Sequence, residues 1–157
     1  MNSFEIGDYK TELMYSLLDN ADIVTLLDPA SEFEFPDELV YERIFPYGRV
    51  PTTEQETKAY LTLTVNVENL MRGNKLLRTV RLTIRAVSHA NIMKVSGESV
   101  NRVDLLSAKV DQVLNGSTKF GIGPLEIVSN REYTLDEQHF YREIVFETTG
   151  VNVPACR

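Results

Sequence analysis

Apolar and polar residues alternate with period two in two segments near the middle of the chain. Leu61, Leu63, Val65 and Val67 are separated by Thr62, Thr64 and Asn66, and Val80, Leu82, Ile84 and Ala86 are separated by Arg81, Thr83 and Arg85. Successive side chains of a strand point to opposite faces, so each segment has one face to bury and one to keep wet. The polar connection Leu70-Met71-Arg72-Gly73-Asn74-Lys75 is short and holds the turn dipeptide Gly-Asn, which predicts an antiparallel hairpin over 59–87.

Elsewhere the period changes. Tyr9, Leu13, Leu17 and Leu18 fall at helical spacing behind Asp8, a possible cap, and Ile23 to Leu27 predicts one more turn that Asp28 and Pro29 end, giving an N-terminal helical segment over 8–27. Val103, Leu106, Val110, Val113 and Leu114 repeat at helical spacing behind Asn101, with Arg102, Asp104, Lys109, Asp111 and Gln112 opposite and Asn115-Gly116 as a stop. That predicts a helix over 101–115 with its apolar face on the sheet. Leu125 to Ser129 and Phe140 to Thr148 read as a second hairpin over 125–148, with Ile144 and Phe146 inward and Glu143 and Glu147 outward. Residues 28–58 hold four of the six prolines and read as a long irregular arm, broken by one extended piece, Leu39 to Phe45. The expected fold is α+β: one domain over 1–157, with an antiparallel four-stranded sheet of two hairpins covered by helices and flanked by the arm. The tail Val151 to Arg157 is expected to be loose.

Composition narrows the function classes. A chain of 157 residues buries roughly 70% of its unfolded surface, enough for a proper core. Sixteen Lys and Arg against 23 Asp and Glu leave a net charge of −7, which repels phosphate backbones and anionic membrane surfaces. The single cysteine, Cys156, allows no intrachain disulfide and is consistent with a reducing compartment. No apolar run has the length of a membrane span, and Met1 to Glu5 lacks the basic and apolar regions of a signal peptide, so the expected site of synthesis is the cytosol.

No constellation of catalytic residues stands out. His89 and His139 have no Cys or His at ligand spacing and read as surface or capping residues, not zinc ligands. Gly121-Ile122-Gly123 follows a helix and precedes a strand, the reverse of a phosphate-binding turn, and reads as a turn. Asp28, Glu32, Glu34, Asp37 and Glu38 lack the spacing and glycine of a calcium loop and read as a solvated face. No cofactor and no metal are expected, and an enzyme is not the leading reading.

Two features ask for a partner. Phe33, Phe35, Tyr41, Phe45 and Tyr47 crowd one stretch of irregular chain, where they either cover the core or anchor an interface. If Arg78, Arg81 and Arg85 on one hairpin and Glu143 and Glu147 on the other share the outward face, that face carries opposite charges on separate strands, suited to pairing within a subunit or between subunits. Phe33, Phe35, Phe45, Tyr47, Arg81, Arg85, Glu143 and Glu147 are therefore the candidate subunit interface.

The order of these elements, with Ile44-Phe45-Pro46 closing the arm, Leu114-Asn115-Gly116, the stretch Phe120 to Glu126, and the final strand Tyr141 to Phe146, resembles small neck and tail-completion proteins of tailed bacteriophages of Gram-positive hosts. The resemblance covers nearly the whole chain and is greatest to the tail terminators. It implies a non-enzymatic virion protein in a homo-oligomeric, six-membered ring that caps the tail tube and joins tail to head. Neighbouring neck and tail-tube proteins would be its partners, DNA would pass through without specific binding, and no membrane would be involved. An adjacent head–tail connector or stopper ring remains open. So does a small ligand-binding α+β domain or enzyme with a pocket between the Asn101 helix and the sheet.

Overall fold

The structure, a computed structural model, describes residues 3–71, 74–121 and 123–151. The expected turn glycine Gly73, Ile122, Cys156 and the tail from residue 152 lie outside the described residues. The N-terminal pattern forms α1 (Ile6–Leu18) and α2 (Ala21–Leu27), and Tyr9, Leu13, Met14, Leu17 and Leu18 supply the buried face of α1. A 3-10 turn, Ser3–Glu5, leads straight into α1, so Asp8 lies in its first turn and does not cap it. There its carboxylate still suits the positive end of the helix dipole. Asn20 caps α2, accepting from the Asp22 and Ile23 N–H groups at 3.0 and 3.1 Å.

The sheet has five strands, not four, and is not wholly antiparallel. In spatial order these are β1 (Ile44–Phe45), β2 (Ala59–Met71), β3 (Asn74–His89), β5 (His139–Val151) and β4 (Glu126–Thr134). Neighbours pair antiparallel except β1, which lies parallel to β2 with Ile44 beside Leu61 and Phe45 beside Thr62. Only this end of the expected extended piece joins the sheet. The Glu42 and Arg43 N–H groups both turn back to the Leu39 carbonyl, and Tyr41 takes a left-handed φ of 64°. Arm and sheet are thus one unit, with residues 28–43 outside the ladder.

Register explains the core. Leu63, Ile84 and Ile144 stand in one row, and Val65, Leu82 and Phe146 in the next, all on one face. That face is covered by α1 and α2 over β2 and by α3 (Arg102–Leu114) over β3 and β5. Leu13, Leu17, Ile23, Leu27, Leu61, Leu63, Leu82, Ile84, Leu106, Val110, Ile144 and Phe146 are fully buried there. Each such side chain contributes about 1.5–3 kcal/mol by leaving water. Asn101 caps α3 by accepting from the Asp104 N–H at 2.9 Å, and Gly116 follows its end with a φ of +81°, a left-handed value suited to glycine. The expectation of a wet Arg102 fails: the side chain is 5% exposed and reaches under the helix layer. Its long stem lets a residue on the helix flank bury its head against two carbonyls, which helical spacing alone does not reveal.

Candidate interaction surface

Among the described residues all the helices lie on one side of the sheet, and on the other side the arm covers only the lower end, which leaves the rest bare and polar. Thr62, Thr64 and Asn66 of β2, Arg81, Thr83 and Arg85 of β3, Glu143, Val145 and Glu147 of β5, and Ser129 and Arg131 of β4 share it by strand parity. Across β3 and β5, Arg81 stands directly opposite Glu147, and Arg85 opposite Glu143. Arg81 donates to one Glu147 oxygen from Nη2 at 2.6 Å and from Nε at 3.0 Å, and Arg85 Nε donates to Glu143 at 2.9 Å. Of the five charges read from the sequence, Arg81, Arg85, Glu143 and Glu147 therefore do share one face and pair within the subunit, whereas Arg78, an even number of residues from Val80, has the parity of the helix-covered face. Their side chains stay 22–43% exposed, so solvent screens them and they add little to stability. Between the rows lies a shallow hollow of about 570 Å³, floored by Thr64, Thr83, Val145 and Ser129.

The arm aromatics divide. Phe45 is 3% exposed and forms a second small cluster with Tyr60 and Val87 at the lower end of the bare face, with Leu135 and Tyr141 packed against it. The ring of Phe45 meets that of Tyr60 edge-on at 5.7 Å. Arg49 lies 4.8 Å from the centroids of both rings and pairs with Glu56, which also pairs with Lys58 at 3.2 Å. Burial alone would raise the Glu56 carboxylate. Hydrogen bonds from Arg49, Lys58 and the Thr52 N–H outweigh it and hold the group below the usual carboxylate range. Burial pushes the Tyr60 hydroxyl up to about 12. Phe33 is half-buried beneath Arg43, whose guanidinium lies 5.4 Å from its centroid. Phe35, Tyr41 and Tyr47 are exposed. Of the expected interface aromatics, then, Phe45 belongs to the subunit's own interior, while Phe35 and Tyr47 face outward.

The two histidines are not on the surface. The strand register sets His89 beside His139, with rings edge to face at 5.0 Å, and both are buried. His89 Nε2 donates to the Glu54 carbonyl at 2.9 Å, and its Nδ1 accepts from the Asn91 N–H at 3.0 Å, a capping role. His139 Nε2 donates to the Glu56 carbonyl at 2.8 Å, and its Nδ1 meets both carboxylate oxygens of Asp136 at 3.0 Å. Together they clasp the arm by its main chain. Fifty residues separate them in sequence, and only the β3–β5 register, which no local pattern encodes, brings them together.

The acidic stretch of the arm serves backbone and arginine. Asp28 accepts from the Glu32 and Phe33 N–H groups, Glu38 from those of Glu34 and Phe35, and Glu32 pairs with Arg43. Among the described residues no group of three or more His, Cys, Asp and Glu is placed to hold a metal ion. No helix among them is long and apolar enough to cross a membrane. The space between α3 and the sheet, where a pocket was an open alternative, is filled by Leu106, Val110, Leu82, Ile144 and Phe146, all fully buried.

Fold and surface together define an α+β protein with one helix-covered and one bare, charge-paired sheet face. The chain belongs to the YomW family, which it matches over residues 13–148. The family carries the name of a phage-derived gene product, which supports a phage-related protein at the coarsest level. No curated protein matches the chain.

Proposed function

We propose that this chain is a non-enzymatic structural protein of the phage neck: a tail terminator whose copies form a ring, six by the resemblance, that caps the tail tube and joins it to the head. An adjacent connector or stopper ring is the nearest relative of that role. The observation that carries the reading is the bare sheet face, on which Arg81 and Arg85 are each tied to a carboxylate. A channel for DNA must not hold phosphate, and each free cation facing it would do so by counterion release. With Arg81 and Arg85 withdrawn from that role on a subunit of net charge −7, such a wall lets a duplex pass. The phage-derived family name supports the setting.

The test is to delete the gene from the phage that carries it. Filled heads and unjoined tails of irregular length are the expected products, with antibody against the protein marking the neck of normal particles. Normal, infectious particles lacking the protein would overturn the proposal.

A further inference from the structure

The four long strands leave two open edges. β1 covers β2 only at its start, opposite Leu61 and Thr62, and no strand among the described residues pairs with β2 beyond it. On the far side β4 has a partner in β5 alone, and residues 130–134 are all exposed. Natural edge strands are usually blunted by lysine, proline or a covering element, because free N–H and C=O groups recruit other strands. Neither 65–69 nor 126–134 contains a lysine or a proline. Each run is bounded by one irregularity, a bulge at Val128 that ends the regular part of the β4 edge and a register shift between Asn69 and Met71 that ends that of β2.

The direction of the free amides follows from bonds that are made. The Leu61 N–H donates outward to the Arg43 carbonyl, so by the two-residue repeat the amides of Val65, Val67 and Asn69 also point outward. The Leu135 N–H donates inward to the His139 carbonyl of β5, so those of Thr134, Glu132 and Asn130 point outward on the other edge. Each edge thus offers three outward amides. Val65 and Val67 on one edge and Asn130, Glu132 and Thr134 on the other have the parity of the helix-covered face, since Val65 shares a row with Leu82 and Phe146, and Asn130 with Ile144. The edges also run in opposite directions, because an even number of antiparallel strands separates one from the other.

We propose that β4 of a second copy adds to the free edge of β2, antiparallel and head to tail, so that the sheet continues from subunit to subunit with every helix on one side. Pairing all three amides of each edge sets Val65 against Thr134, Val67 against Glu132 and Asn69 against Asn130. That single register also places Glu68 of one copy opposite Arg131 of the next on the bare face, an opposite-charge pair that no other observation was used to arrange. A rotation about an axis along the strands keeps strand directions, so repeated use of this contact closes into a ring or grows as a filament.

The test uses the whole chain. Its association is measured by sedimentation over a wide concentration range, and amide exchange is followed in the dilute and associated forms. The amides of Val65, Val67, Asn130 and Glu132 are expected to exchange at least about tenfold more slowly once associated, with full fold retained in both forms. Arg131→Glu is expected to raise the dissociation constant about tenfold by setting like charges opposite each other, and Glu68→Arg added to it to restore association. A chain that stays monomeric, association with unchanged exchange at these amides, or an Arg131→Glu variant that associates normally would each overturn the edge contact. In the last two cases the ring would rest on another surface and the neck role would stand; it fails separately, if particles form normally without the protein.

Discussion

Arg102, the first residue of α3, donates from Nη1 to the Leu26 carbonyl in the last turn of α2 and from Nε to the Ile92 carbonyl, each at 2.7 Å. Burial pulls the pKa of this guanidinium below that of a free arginine. The residue thereby ties α2, the Ala90–Ile92 turn and α3 into one layer. Arg102→Ala leaves two carbonyls without their charged donor and is expected to cost about 3 kcal/mol. Arg102→Lys, with one compact donor group in place of the fork, should recover part of the loss. Thermal unfolding followed by circular dichroism checks the order wild type, lysine, alanine. Equal midpoints for all three would show that the tie carries no stability.

The split among the arm aromatics makes opposite expectations for two phenylalanines. Phe45→Ala empties the small cluster with Tyr60 and Val87 and should cost roughly 3–5 kcal/mol. Phe35, 60% exposed, should change stability by no more than about 0.5 kcal/mol when cut to alanine. Denaturant midpoints of the two variants decide it, and similar losses for both would contradict the division.

Glu56 gives the arm an acid limit. Its pKa is depressed in the folded chain, so the stabilisation is present above the unfolded carboxylate pKa and is lost as pH falls through the lower folded value. Glu56→Gln should therefore be less stable than wild type at neutral pH, with the difference closing as the pH drops below about 4. Melting the pair across that range is the check. A gap that persists into acid would mean that the carboxylate charge is not what holds Arg49 and Lys58.

Gly121 and Gly123 separate a packing glycine from a permissive one. A Cβ on Gly121 would sit 2.7 Å from the Thr149 carbonyl oxygen and would also collide with Thr148 Oγ1, whereas nothing lies within 4 Å of the corresponding point on Gly123. Gly121→Ala should cost about 1–3 kcal/mol, because main chain on β5 must shift. Gly123→Ala should leave the midpoint nearly in place. The reverse ranking would refute the close approach.

Much of the architecture was legible because it rests on local periodicity. Leu61 to Val67 and Val80 to Ala86 announced their strands, and Asn101, Val103, Leu106 and Val110 announced α3, since burial of one face leaves its period in the sequence. β1 was legible only as the end of a longer extended piece: two residues, Ile44 and Phe45, show no period, and their parallel pairing is with a strand that begins fifteen residues later. The charged quartet was readable as a shared face through parity alone, and the register then chose pairing within the subunit. The capping role of His89 was anticipated, but the Arg102 tie and the hold of the two histidines on the arm escaped because the partners there are carbonyls, and every residue has a carbonyl.

That last point bears on how this chain can change over generations. The clasp formed by His89 and His139 grips the Glu54 and Glu56 carbonyls, so it recognises the course of the arm and not its composition. The side chain at position 54 is free to drift without loosening it. An insertion or deletion of a single residue between Pro51 and Lys58 would instead move both carbonyls out of reach. Relatives with the same clasp are therefore expected to vary in the letters of this segment while keeping its length.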